Sequence, residues 1–195
     1  LHARSCQIVG EIVTLMEHGF ADGAMARWRT LYEIGVVAAV IAEAGEQVAQ
    51  SYLGHEIVES KLAMDEYDVC HVSLGFHALS SRERKQIERA YDAVIQTHGD
   101  AFGKPYGWAA SYLKKKRVTF RDLEDAAQRS FMRTYYKMAS YNVHADSKGI
   151  SFRLGLLDEQ HGVLAGASNV GLEEPGQNTA IAFTQITALL YNERI

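Results

Sequence analysis

Leu31-Tyr32-Glu33-Ile34-Gly35-Val36-Val37-Ala38-Ala39-Val40-Ile41-Ala42 is apolar on every side of a helix except at one position, Glu33. A helix without a polar face belongs at the centre of a fold. Its lone carboxylate must be paired, protonated or set on a cavity. Arg29 lies one turn upstream and can pair with Glu33 on the same face. The central helix is expected from Asp22, a candidate N-cap, to about Glu43.

Upstream, Ile8, Ile12, Leu15 and Met16 form an apolar stripe, widened by Val9 and Val13. This predicts a helix over Arg4 to His18 that ends at Gly19, where a left-handed cap residue is expected. Downstream, helices are expected over Glu46 to Val72, over Ser81 to His98 capped by Ser80 or Ser81, and over Thr119 to His144. Asp122, at the third helical position after Thr119, suits a capping box. In the helix from Ser81, the inward residues are Ile87, Tyr91, Val94 and Ile95. Residues 99–118 form a loop with Gly99, Gly103, Pro105 and Gly107. From Ala145 to Gly176 glycines become frequent, with short apolar runs at Ile150–Leu157 and Val163–Ala167, so a glycine-rich loop or a small hairpin is expected there. A last helix is expected over Asn178 to Asn192. The fold class is all-α: one helical domain over residues 1–195, a bundle of five or six helices.

With 195 residues the chain can bury about 70% of its unfolded surface, so it does not need a disulfide or metal in order to fold. The net charge of -4 gives no global attraction to nucleic acid, and any such site must be a local basic patch. Cys6 and Cys70 sit among apolar residues and are expected to be buried thiols, which suits a reducing cytoplasm. The longest apolar run, Ile34 to Ala42, is nine residues, whereas a membrane span needs about 20. The chain opens on Leu1 rather than methionine, so a trimmed start is expected and a leader is left open.

Three sets of residues are candidates for chemistry. Arg29 and Glu33 form either a structural ion pair or the floor of a pocket. Arg133, Lys137, Ser140 and His144 fall within an arc of about 60° on one helix. The apolar arc, with Leu123, Ala127, Met138 and Tyr141, begins about 40° away, so Ser140 and His144 are expected to border the core. His144 is the candidate acid or base; a solvated basic face ending in a helix-terminal histidine is the plainer reading. Tyr52, His55 and Glu59 share a third face, where the carboxylate can orient the imidazole or serve only a structural hydrogen bond. Glu33, His55, Glu59 and His144 together have the donors for iron, manganese or zinc. They lack the Glu-x-x-His spacing of di-iron bundles, and no metal or other cofactor is assigned. Ser140, His144 and Asp146 make only a weak triad, without a Gly-x-Ser-x-Gly elbow. The strip from Lys104 to Arg117 interleaves basic residues with Tyr106, Trp108 and Tyr112. It can hold phosphates and stack bases, or be an ordinary solvated loop rim.

Arg27-Trp28-Arg29-Thr30-Leu31-Tyr32-Glu33 resembles the R-x-L-x-E opening of a bacterial family of helical proteins known only as a domain of unknown function. Ser140-Tyr141-Asn142-Val143-His144 resembles its S-x-x-V-H closing motif. The resemblance implies functional roles for Arg29, Glu33, Ser140 and His144. The arrangement also distantly resembles the HEPN superfamily of helical nucleotide-binding and RNase domains, whose motif is an arginine, four to six residues, then histidine. Here Arg133 precedes His144 by eleven positions.

The leading expectation is a polar pocket between the second, third and fifth expected helices, ordered by Arg29 and Glu33. Ser140 and His144 meet the ligand there, RNA or a nucleotide, with His144 as acid or base and Arg133, Lys137, Tyr52, His55 and Glu59 as binding residues. The alternatives are a non-enzymatic interaction domain and a metal-dependent bundle enzyme. No membrane partner is expected, and a homo-oligomer is compatible with the sequence.

Overall fold

The computed structural model describes residues 1–145, 147–156 and 164–192. Among them every regular element is helical, as the all-α expectation requires, but the helices outnumber the expected five or six. They are α1 (His2–Glu17), α2 (Ala21–Ala44), α3 (Glu46–Gly54), α4 (Glu56–Cys70), α5 (Ser81–His98), α6 (Ala110–Leu113), α7 (Phe120–Ala126), α8 (Arg133–Tyr141), α9 (Ser147–Ser151) and α10 (Glu173–Asn192). Short 3-10 turns at Asp100–Gly103, Gly107–Ala109 and Ser130–Met132 link them. No hairpin forms among the described residues of 145–176; α9 and irregular loops stand there instead. Residues 157–163, and with them part of both apolar runs, lie outside the described residues, as does Asp146.

The extra helices come from two breaks. The expected 46–72 helix divides at Gly54 and His55, and glycine in a helix interior costs about 1 kcal/mol relative to alanine. The expected 119–144 helix divides where Gln128 takes a left-handed conformation, φ 54°. Two compact units can be distinguished: residues 1–42 with 127–195, and residues 43–126.

In the first unit the apolar stretch of α2 forms the core, as its sequence requires. Met25, Trp28, Leu31, Val36 and Val40 are buried, with Ile8 and Ile12 of α1 and Ile186 of α10. The Trp28 indole N–H donates to the Asn178 carbonyl at 2.9 Å, so the one polar atom of this ring is satisfied. α10 starts earlier than expected: Glu173 and Glu174 favour its N-terminus, and Pro175 in the first turn has no N–H to leave unpaired. Asp22 lies inside α2 rather than before it, and its carboxylate accepts from the Leu154 backbone N–H at 3.0 Å. Cys6 is exposed and not buried, because it lies on the opposite side of α1 from Ile8; Cys70 is half-buried, and both are free thiols.

α1 ends as its glycine predicts. Gly19 is left-handed (φ 76°), and the Gly19 and Phe20 N–H groups donate to the Met16 and Leu15 carbonyls, the paired bonds of a Schellman cap. A Cβ at Gly19 would stand 2.9 Å from the Ser168 carbonyl oxygen.

In the second unit α4 and α5 pack antiparallel. The Arg84 guanidinium near the start of α5 holds both oxygens of Asp68 near the end of α4. Ser80 and Glu83 form the capping box of α5. The inward residues of α5 are half-buried rather than sealed. The expected box at α7 is also present: Asp122 accepts from the Thr119 N–H at 2.8 Å, and its own N–H donates to the Thr119 hydroxyl at 3.3 Å. The hydrogen bond from Lys115, then that from the Thr119 backbone, holds the Asp122 carboxyl down at about 2. The stability it adds is full above its ordinary titration near 4 and fades as pH falls toward 2.

Two outcomes follow for urea unfolding. Gly19→Ala should lose on the order of 1–2 kcal/mol, since a left-handed non-glycine residue is strained and the added Cβ crowds Ser168. Asp122→Asn should lower stability at neutral pH and flatten the acid limb of the stability–pH curve between about pH 4 and 2. An unchanged acid limb would contradict the assignment.

Candidate active site

The Arg29 guanidinium joins α2 to α8 and to the turn that follows it. Its Nε donates to Glu33 Oε1 at 3.2 Å, its Nη2 to the Tyr136 hydroxyl at 2.9 Å, and its Nη1 to His144 Nε2 at 3.2 Å. The Tyr136 hydroxyl donates in turn to Glu33 Oε1 at 2.8 Å. Arginine places five donors in a rigid planar fork, so one side chain can organise three partners at once. The Arg29 carbon Cζ also lies 4.8 Å from the centre of the Tyr136 ring.

Local structure explains the arrangement. The i,i+4 spacing on α2 brings Arg29 and Glu33 together. Behind them Tyr32 stacks on Trp28 (5.4 Å) and meets Tyr136 (5.6 Å), and its hydroxyl donates to the Arg129 carbonyl at 2.8 Å. This aromatic row fixes α8 against α2. His144 lies just past α8, where its N–H donates to the Ser140 carbonyl at 3.1 Å, continuing the helical turn.

Burial and charge act on the network together. Burial, then the hydrogen bond to Glu33, pushes the Tyr136 phenol up to about 12. Burial also pushes Tyr32 up to about 12. For Arg29, burial opposes the charge, but Tyr136 and Glu33 outweigh it, so its pKa is raised and it stays a cation. Because guanidinium only donates, His144 Nε2 must be the acceptor in their contact, which puts the ring proton on Nδ1. The Arg29 and Glu33 side chains are 20% and 35% exposed and His144 is exposed, so the network opens to solvent at its histidine end.

Beside His144 is a cleft of about 460 Å³, lined by Asp22, Tyr141, Asn142, Gly149 and Arg153 among others. The Asn142 side-chain amide has no hydrogen-bond partner among the described residues.

The sequence candidates separate as follows. Arg29, Glu33, Ser140 and His144 belong to the first unit, and three of them form one network. The Ser140 hydroxyl donates to its own helix, at the Tyr136 carbonyl (2.9 Å). Lys137 is exposed on α8 and Arg133 is half-buried at its start. Tyr52, His55 and Glu59 belong to the second unit. There His55 is 5% exposed, with Nε2 3.1 Å from the Lys104 carbonyl, its ring edge-on to Phe102, and Nδ1 3.8 Å from Glu59. Tyr52 packs edge-on against Trp108. These contacts fit the structural hydrogen-bonding role. No group of three histidine, cysteine, aspartate or glutamate side chains converges as a metal site among the described residues. Tyr136 was missed in the sequence, although it stands four positions before Ser140, at the edge of the same helical stripe.

The stability conferred by Tyr32 and Tyr136 should be present below about pH 10 and lost as pH rises toward 12. Phenolate absorbance followed against pH should show two tyrosines titrating late. Tyr136→Phe should remove one of them and cost about 1–2 kcal/mol in urea unfolding, since it deletes a hydrogen bond to a charged group. A variant as stable as the parent would mean that the Tyr136 hydroxyl does not hold the network.

No curated protein and no solved structure matches the chain. One family model does, over residues 1–161, consistent with the helical family of unknown function that the sequence resembles. The chain therefore belongs to the family of unknown function DUF5677.

Proposed function

We propose that Arg29, Glu33, Tyr136 and His144 form an RNA-cleaving site in which His144 is the general base. The observation that carries this reading is the Arg29–His144 contact: an imidazole nitrogen facing a donor-only cation, exposed to solvent at a cleft. When a phosphodiester enters, the exposed His144 ring moves off Nη1 of Arg29, and Nη1 donates to a phosphate oxygen instead. That frees Nε2 to take the proton of a ribose 2′-hydroxyl. The 2′-oxygen then attacks phosphorus, the 5′-oxygen leaves and is protonated by water, and a 2′,3′-cyclic phosphate remains. Glu33 and Tyr136 hold the guanidinium in place throughout, so Arg29 stabilises charge where it develops. Ser140 and the exposed Lys137 shape and charge the approach along α8, with Arg133 at its start. The distant HEPN resemblance motivates RNA as the substrate, although no arginine stands at that motif's spacing before His144, and the free thiols Cys6 and Cys70 suit a reducing, cytoplasmic setting.

The alternative is a non-enzymatic interaction domain. It is favoured by the internal satisfaction of Arg29, whose three partners would serve only to lock α8 onto α2.

Cleavage of single-stranded RNA in the presence of a chelator separates the two. Wild type should leave cyclic phosphate ends and spare DNA of the same sequence, which lacks the 2′-hydroxyl. His144→Ala should fall by on the order of 10²–10⁴-fold with the fold retained. Arg29→Lys should also lose activity, because a point charge cannot hold all three partners. Unchanged cleavage by His144→Ala overturns the mechanism. No cleavage by wild type, with a loss of about 1–3 kcal/mol of stability in His144→Ala, favours the interaction domain.

A further inference from the structure

Within residues 43–126 a separate cleft of about 490 Å³ is lined by the end of α5, the 3-10 turns after it, α3 and α6. Its rim carries Lys114, Lys115 and Lys116, hydroxyls of Ser51 and Ser111 also line it, and no carboxylate does. Lys114 is left-handed (φ 54°) and closes α6, so the chain turns there and sets three consecutive cations at the rim. Lys115 is committed to Asp122 at 2.6 Å; Lys114 and Lys116 are exposed and form no ion pair among the described residues. One wall is aromatic: the His98 ring lies parallel on Phe102, with centroids 4.4 Å apart and an interplanar angle of 18°. Phe102 is buried while His98 is exposed, so the stack ends on a face open to a further flat ring.

We propose that this cleft binds the phosphate of a nucleotide, with the phosphate on Lys114 and Lys116 and the base laid on His98. The chemistry matches part by part. Ammonium groups and hydroxyls hold a phosphate, an exposed ring extending an aromatic stack takes a base, and the volume falls in the range of small-ligand sites, roughly 300–1,000 Å³. A larger groove along α5, about 600 Å³, also has cations, Arg82, Lys85 and Arg89, but no aromatic wall. It supplies a control of equal charge. The cleft is lined only by residues of the second unit, and nucleotide binding there is independent of RNA cleavage.

The test is binding of a fluorescein-labelled single-stranded DNA oligonucleotide to the intact chain, read by polarisation over a range of salt. DNA lacks the 2′-hydroxyl, so the cleavage proposed above does not interfere. Lys114→Ala/Lys116→Ala should weaken binding on the order of tenfold at low salt and reduce the log–log salt slope by about 0.7 for each lysine. Arg82→Ala/Lys85→Ala should change affinity by less than about twofold if the α5 groove makes no phosphate contact. Adenosine 5′-monophosphate, adenosine and the unlabelled strand are then added as competitors. Competition by the monophosphate identifies a free nucleotide as sufficient, whereas competition by the strand alone identifies nucleic acid; each supports the site. Equal weakening by the two double variants, equal competition by adenosine, or no binding of the oligonucleotide by the unmodified chain would overturn it.

Discussion

One guanidinium holds the candidate site together. Arg29 stands at the edge of an otherwise apolar helix, where a cation without partners would be costly to desolvate. Its three hydrogen bonds reach a carboxylate on its own helix, a phenol on α8 and an imidazole just beyond α8. Removing any partner would leave a half-buried charge less satisfied, so the side chains are coupled and not independent. The same coupling orients the histidine: a donor-only neighbour dictates which imidazole nitrogen is bare.

Packing makes this geometry possible. The row of Trp28, Tyr32 and Tyr136 is anchored at one end by the Asn178 carbonyl and, through the Tyr32 hydroxyl, by the Arg129 carbonyl. These bonds let large aromatic rings sit inside the unit with their polar atoms satisfied. The phenol of Tyr136 then faces a carboxylate and a guanidinium together. Burial and then the bond to Glu33 make it hold its proton into the alkaline range, while Arg29 pulls the other way without reversing the shift.

Much of this was legible in the residues. The run from Leu31 to Ala42 placed α2 at the core, and Arg29–Glu33 followed from helical spacing. Gly19, Ser80 and the Thr119–Asp122 pair marked helix ends, because capping chemistry is local. The breaks were harder. Gly54 marks the first break within an otherwise helical pattern. Gln128 carried no signal at all, since glutamine is a good helix former and its left-handed conformation is imposed by the surroundings. That break ends the single 119–144 helix, so Arg133, Lys137 and Ser140 rest on α8 and His144 falls in the turn just past it. Tyr136 gives no such signal, because a tyrosine beside an apolar arc reads as core. Only the tertiary meeting of α2 and α8 shows its hydroxyl serving Glu33. The exposure of the Cys6 thiol is hidden in the sequence because its apolar neighbours occupy both sides of α1, while the buried side is set by Ile8 and Ile12.

Arg29 holds the neutral His144 ring with Nε2 as a bare acceptor. Nitrogen NMR of that imidazole should show a protonated Nδ1 and an unprotonated Nε2, with the pattern lost in Arg29→Ala. A proton on Nε2 with Nδ1 bare, or a tautomer indifferent to Arg29, would contradict it.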